Sequence, residues 1–324
     1  MAGSSRRFLI GIAFLLGLTT LRTGWGGTAS THSIEVGGVP RTFHVYVPPG
    51  LRGQPSIPLV IALHGGGTNG QSMERFSGLS QTAERWGFAV AYPDGTGRAN
   101  RFLTWNAGAC CGRALTENVD DVAFLRRLVD WATGTLHVDP DRVYVTGISN
   151  GAMMAYRLAA ETPKLIAAVA AVAGGLEIDP GRIRAPVPVL HFHGTEDAYV
   201  PFQGGRGPRT APAYSHASVS ATIQAWVQAN GAELTPAVTH LPDRKADGTR
   251  VVRSAYRRGT DPDAVVLYTI IGGGHTWPGR PTGERILGRS TRDIAANEII
   301  WQFFLAHPQG RFGRPMSHTS PQSR

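Results

Sequence analysis

The sequence predicts a single α/β domain: a mainly parallel sheet with helices on both faces. Three observations carry this expectation. Residues 58–63, 167–173 and 188–192 are short continuous apolar runs, as expected of strands buried on both faces. Helix-like stretches alternate with such runs, the order of repeated βαβ units. The chain has 324 residues, 42% hydrophobic and 17% charged, enough to build a large core and too apolar for a disordered chain.

The elements follow in order. Residues 41–47 alternate and end at Pro48-Pro49-Gly50, which marks an early or edge strand. Strand 58–63 comes next, then a helical stretch over 73–86 and a strand over 88–92. In residues 118–133, Val122, Leu125, Val129 and Ala132 recur at helical spacing. Residues 142–146 form a strand and 150–160 a helix. Strands 167–173 and 188–192, helix 219–229, strand 264–271 and helix 294–305 complete the pattern. Residues 203–212, rich in Gly and Pro, predict a flexible loop at a pocket rim, and 308–324 a disordered tail.

Residues 1–30 have the layout of an export signal. Arg6-Arg7 precedes an apolar run over 8–21, and small residues follow up to Ala29 and Ser30. A run of about 14 residues is shorter than the roughly 20 needed to span a bilayer. The expectation is cleavage near Ala29 or Ser30, and a secreted or periplasmic mature chain over 31–307. The paired arginines fit a general or a twin-arginine route. The formal net charge of +9 sits largely at the two ends, where three arginines each face no acid. There is no Lys/Arg block, zinc-ligand spacing or RNA-binding aromatic motif, so nucleic acid is not an expected partner. Nor is a membrane once the signal is cleaved.

Cys110 and Cys111 are the two cysteines, adjacent in the chain. Neighbouring Cα atoms lie about 3.8 Å apart, whereas ordinary disulfides span about 4.4–6.8 Å. A vicinal bridge would close a strained eight-membered ring; two free thiols are the alternative. Neither arrangement suits zinc, whose ligands stand a few residues apart.

The chemistry enters at Gly147-Ile148-Ser149-Asn150-Gly151, a G-x-S-x-G segment between a strand and a small-residue helix. Such a turn lifts a serine hydroxyl above the sheet edge, beside the free amides of the helix start. Ser149 is therefore the expected nucleophile. A serine needs a base, and the base an orienting acid. After strand 188–192 come Glu196 and Asp197, of which Asp197 is favoured as the acid with Glu196 its competitor. After strand 264–271 comes Gly272-Gly273-Gly274-His275, three glycines suited to a mobile loop that delivers the base, His275. His191 and His193 form an H-x-H pair with no third ligand nearby, which predicts packing or loop shaping and no metal site. His64-Gly65-Gly66-Gly67 follows strand 58–63. One oxyanion donor is expected from that loop, the amide of Gly66 or Gly67, and the other from Asn150.

These segments recur together. Leu63-His64-Gly65-Gly66-Gly67, Tyr92-Pro93-Asp94-Gly95, Trp105-Asn106 with Cys110-Cys111-Gly112, Asp120-Asp121-Val122-Ala123-Phe124, the Ser149 segment, His193-Gly194-Thr195-Glu196-Asp197 and Gly274-His275-Thr276-Trp277-Pro278-Gly279 stand in this order. As a set they resemble the secreted poly(3-hydroxybutyrate) depolymerase and feruloyl esterase family over residues 33–306. The resemblance implies an α/β-hydrolase fold, no cofactor, and a triad that maps onto Ser149, Asp197 and His275. It places Trp105, Cys110, Cys111 and Trp277 close to the active centre, and makes Trp105 and Trp277 candidate walls of an acyl site, with core packing as the alternative. Two departures stand out. Asn230-Gly231 leads to Ala232 where many relatives have Cys, so a second disulfide is not expected. The chain also ends soon after its last helix, without the extra module expected of an enzyme that attacks solid granules.

The resulting expectation is an exported serine esterase acting through an acyl-enzyme. Its substrates would be polyhydroxyalkanoate-type oligomers or feruloyl and short acyl esters. A serine peptidase on the same fold is the alternative, and a non-catalytic binding protein that kept the fold is a third.

Overall fold

The computed structural model describes residues 29–98, 101–281 and 283–310. Residues 1–28 of the expected signal over 1–30 and most of the expected tail lie outside them. Of that tail, Gln309 is held by hydrogen bonds to the carbonyls of Asp141 (2.7 Å) and Pro163 (3.0 Å).

The described elements run β1 (Ser30–Val36), β2 (Val39–Tyr46), β3 (Ile57–Leu63), α1 (Gly70–Ser77), α2 (Leu79–Trp86), β4 (Ala89–Pro93), β5 (Thr96–Arg98) and β6 (Arg101–Thr104). Next come α3 (Gly112–Thr116), α4 (Asp121–Leu136), β7 (Val138–Ile148), α5 (Asn150–Glu161), β8 (Ala168–Val172) and β9 (Val189–Gly194). The chain continues with α6 (Val219–Asn230), β10 (Ala237–His240), β11 (Arg250–Arg258), β12 (Asp261–Ile271), α7 (Glu284–Leu287) and α8 (Ala296–Ala306). Among the described residues ten strands form one sheet, in the order β1-β2-β4-β3-β7-β8-β9-β12-β11-β10. From β4 to β12 all neighbours are parallel, and the strands outside them pair antiparallel at both edges. This is the α/β-hydrolase fold in one domain.

Side-chain alternation explains the layers. Leu59, Ile61 and Leu63 of β3 face the core formed with α4, α5 and α6. Val60 and Ala62 face the opposite core, with α1, α2 and α8. A strand covered on both faces must be apolar at every position, and β3 is fully buried throughout.

The structure departs from the expected elements at identifiable signals. The helical stretch over 73–86 is two helices, because Gly78 takes a left-handed conformation (φ 65°) that ends α1 and begins α2. α4 starts at Asp121, where the Asp120 carboxylate accepts the Ala123 amide (2.8 Å) and caps the helix. Strands β1, β10 and β11 were not foreseen. They sit at the sheet edges, where polar residues are tolerated and no continuous apolar run is needed.

The topology places three loops at one edge of the sheet. β7, β9 and β12 are parallel, with β8 between β7 and β9, so the chain leaves all three at the same end. Those exits carry Ser149, Asp197 and His275.

Candidate active site

Ser149 stands between β7 and α5 with φ 57° and ψ −126°, a conformation non-glycine residues rarely adopt. Its amide donates to the Val172 carbonyl of β8 (2.9 Å), and its carbonyl accepts the Met153 amide (3.0 Å). The turn is thus fixed from both sides. Gly151 shows why the segment needs a glycine there: a Cβ on it would lie 2.3 Å from the Leu63 carbonyl oxygen. The side chain of Ser149 is partly exposed.

Asp197 and His275 meet. The Asp197 Oδ2 lies 2.7 Å from His275 Nδ1, and both side chains are nearly closed to solvent. The other carboxylate oxygen accepts the amides of Tyr199 (2.8 Å) and Val200 (2.9 Å). Burial alone would raise the Asp197 pKa; the neighbouring charge of His275 and hydrogen bonds from His193 and His275 outweigh it and hold the carboxyl well below its usual range. The Tyr199 ring packs against His275 at 5.0 Å. With Nδ1 given to Asp197, Nε2 of His275 makes no hydrogen bond among the described residues. Among the described residues the Ser149 hydroxyl makes no hydrogen bond, to His275 or to any other group. Glu196, the competing acid, faces solvent and pairs with Arg289 (3.2 Å), away from His275.

The glycine run before His275 serves close packing. A Cβ on Gly194 would meet the Gly273 carbonyl oxygen at 2.2 Å, so the acid loop and the base loop touch through their backbones. Glu196 N–H donates to that carbonyl (2.8 Å), Gly274 N–H to Arg289 (2.9 Å), and His275 N–H to Leu287 (2.6 Å). The expected mobile loop is pinned on both sides.

The two oxyanion candidates in the glycine loop separate. The Gly67 amide is already given to the Leu103 carbonyl (2.8 Å), so it is not free for substrate. Gly66 lies beside Asn150: a Cβ on it would be 3.7 Å from the Asn150 Cβ. Asn150 opens α5, whose first turn has no side-chain cap. Its side chain clamps Trp105, accepting the Trp105 amide (2.7 Å) and donating to the Trp105 carbonyl (3.0 Å). The Trp105 indole N–H donates to the His64 carbonyl (3.0 Å).

Trp105 and Trp277, the expected walls of an acyl site, are both fully buried. Trp277 spends its indole N–H on Asn297 (2.8 Å). Trp105 packs in the core on one face of the sheet and Trp277 in the core on the other. Cys110 and Cys111 are paired with each other, and the Cys111 amide donates to Trp105 (3.0 Å).

His64 carries a pH prediction. It accepts the Gly95 amide at Nε2 (3.0 Å) and therefore donates from Nδ1 to the Gly65 carbonyl (2.9 Å). A proton on Nε2 would break the Gly95 bond in a buried place. Burial, opposed by the Gly65 hydrogen bond, pushes its pKa down to about 4. Below pH ~6.5 the unfolded chain binds a proton that the folded one refuses, so stability falls with acid until the folded pKa is reached. The loss reaches roughly 3 kcal/mol near pH 4, at about 1.4 kcal/mol per pH unit. Denaturant unfolding at pH 7 and pH 4.5 should show it, and His64→Gln should flatten that part of the dependence.

Sequence reasoning gave two groups no part in the site. His193 lies 3.4 Å from Asp197 Oδ2 and is bonded to His191 (3.0 Å). A buried Glu177–His216 pair (2.9 Å) joins the segment after β8 to the segment between β9 and α6. The H-x-H pattern signalled the first; nothing in the spacing of Glu177 and His216 signalled the second. Among the described residues no group of acidic, His or Cys side chains could hold a metal ion, and no helix is long and apolar enough to cross a membrane.

Known proteins share this architecture. Residues 41–183 match the family model described as esterase PHB depolymerase. NocK, an esterase-type protein of Nocardia uniformis subsp. tsuyamanensis, is 34% identical over 290 residues, 86% of this chain and 83% of that protein. Feruloyl esterase B of Piromyces equi is 30% identical over 71% of this chain, which spans only 42% of that protein. An acetyl xylan esterase from Aspergillus awamori superposes with a TM-score of 0.57 at 18% identity, covering 79% of this chain and 97% of that one.

Proposed function

The chain belongs to the PHB depolymerase family of esterases, and from that premise we propose that this carboxylic ester hydrolase works through a covalent acyl-serine. The observation that carries the reading is the 2.7 Å bond between Asp197 and His275, whose strands lie two and three places along the sheet from the strand that leads into Ser149. On this reading the Ser149–His275 hydrogen bond closes when an ester binds, since catalytic contacts often tighten only in the complex. Ser149 Oγ then forms a bond to the carbonyl carbon and His275 Nε2 takes its proton. The charge on the carbonyl oxygen is met by the amides of Gly66 and Asn150. His275 passes the proton to the departing alcohol. Water attacks the acyl-serine in the second half, again losing a proton to His275, and the acid leaves. Asp197 holds the imidazole in the tautomer that keeps Nε2 ready, and stabilises it when charged.

The substrates proposed are soluble: hydroxyalkanoate oligomers, feruloyl esters or short acyl esters. The names of the similar proteins share one chemical denominator, the hydrolysis of an ester. Export through the N-terminal segment, and a mature domain over 31–307 followed by a tail, are part of the proposal. So is action without a cofactor.

A substrate panel tests it. 3-Hydroxybutyrate oligomers, methyl ferulate, p-nitrophenyl acetate and butyrate are compared with a peptide anilide. The proposal expects every turnover that is appreciable to be of an ester. Faster turnover of the anilide would favour the peptidase alternative, and no turnover of any ester would remove the assignment.

A further inference from the structure

Three buried titratable side chains have no part in the chemistry just described. Tyr156 of α5 and His191 and His193 of β9 are all closed to solvent. They form a continuous row. The Tyr156 hydroxyl lies 2.7 Å from His191 Nδ1, and His191 Nε2 lies 3.0 Å from His193 Nδ1. His193 Nε2 lies 2.8 Å from the Val200 carbonyl and 3.4 Å from Asp197 Oδ2.

The ends of the row set its direction. The Val200 carbonyl can only accept, so His193 carries its proton on Nε2. Among the described residues the Tyr156 hydroxyl has one hydrogen-bond partner, His191 Nδ1. A buried hydroxyl left without an acceptor is costly, so Tyr156 donates and His191 Nδ1 accepts. His191 Nε2–H then donates to His193 Nδ1. Every member is satisfied once, with both imidazoles neutral, and the arrangement has a single polarity. Burial and the neighbouring His193 push the His191 pKa well down, and burial pushes that of Tyr156 well up, which agrees with an uncharged His191 and Tyr156.

The row ends on the turn that carries the catalytic acid. Val200 N–H and Tyr199 N–H hold Asp197 Oδ1, and His193 holds the Val200 carbonyl from the other side. We propose that His193 is a positioning residue for Asp197, kept in its donor tautomer by His191 and Tyr156. It grips the acid turn and shares the negative charge of Asp197 with His275. This rests on the acid–base reading of Asp197 and His275. The other titratable or charged groups near the pair are Tyr199, packed on His275 with Arg209 over its ring, and the exposed Glu196–Arg289 ion pair.

The test is the pH profile of kcat/KM on a soluble ester, with His193→Leu and His193→Gln. Without the His193 donor the Asp197 charge bears more fully on His275 and favours its protonated form. His193→Leu should therefore move the acid limb up by roughly 0.5–1 pH unit and lower kcat more than it changes KM. His193→Gln keeps an N–H aimed at Val200 and should keep the wild-type limb. An unmoved limb in His193→Leu, with only thermal stability lowered, would reduce the row to packing and overturn the proposal. Should His193→Leu not fold, imidazole nitrogen NMR of the wild type and Tyr156→Phe decides. The proposal expects His191 and His193 neutral and protonated on Nε2, with the His193 signals shifted by the distant Tyr156→Phe change. A proton on Nδ1 of either ring in the wild type would contradict it. Retained activity in Ser149→Ala would instead sink the triad itself, whatever the His193 variants do.

Discussion

Ser149→Ala is expected to lower kcat for ester hydrolysis on the order of 10⁵–10⁶-fold while leaving substrate binding nearly unchanged. The proposed chemistry passes through a bond that only the Ser149 oxygen can form, and a methyl group offers no substitute. The backbone that holds this residue is strained (φ 57°). It is fixed by the Val172 carbonyl on one side and the first turn of α5 on the other, so the loop should persist in the variant. Alanine tolerates the conformation no better than serine, so stability should change little. What survives is the catalysis of the oxyanion amides and binding alone. Rates over a matched concentration range, with thermal unfolding as the control for folding, separate loss of chemistry from loss of structure.

Asp197→Asn is expected to cost about 10⁴-fold in kcat. The carboxylate accepts His275 Nδ1–H at 2.7 Å and two backbone amides on its other oxygen. An asparagine can keep those amides with its carbonyl oxygen. It then turns its NH₂ toward His275 Nδ1, which must become an acceptor. The proton moves to Nε2, the atom that has to take the serine proton, and the imidazolium loses its counter-charge. KM should hardly move. The wild-type carboxylate also contributes to stability. Its folded pKa lies below the unfolded value, so that contribution is complete above pH ~4 and fades as the pH falls through the folded value. Asp197→Asn should therefore be less stable than wild type at pH 7 and lose that deficit in strong acid. By contrast Glu196→Gln, on an exposed side chain paired with Arg289, should remain within a few-fold of wild type.

Central strands were legible because burial on both faces leaves no choice of residue. β3, β8 and β9 could be placed from apolar runs alone, within a residue or two. Edge strands were not. β11 reads RVVRSAYRR, and its arginines look like a loop until a neighbour supplies the pairing. Ser149, Asp197 and His275 could be singled out because each follows a buried strand, and the three strands exit on one side. The reason for the glycines before His275 was not legible, because close backbone contact and mobility demand the same residue. The roles of Trp105 and Trp277 turned on which way an indole points. Sequence fixes an aromatic at a position, but only the partners His64 and Asn297 show that both face inward. Gly66 and Gly67 could be told apart only once the Gly67 amide was seen on Leu103.

The most direct measurement is covalent labelling with a fluorophosphonate, read by intact mass and peptide mapping on the wild type and Ser149→Ala. The account predicts one adduct per chain, on Ser149, that appears together with loss of ester turnover and is missing in the alanine variant. A wild-type chain that turns over ester while resisting the label, or a label that maps to another serine and persists in Ser149→Ala, would contradict it.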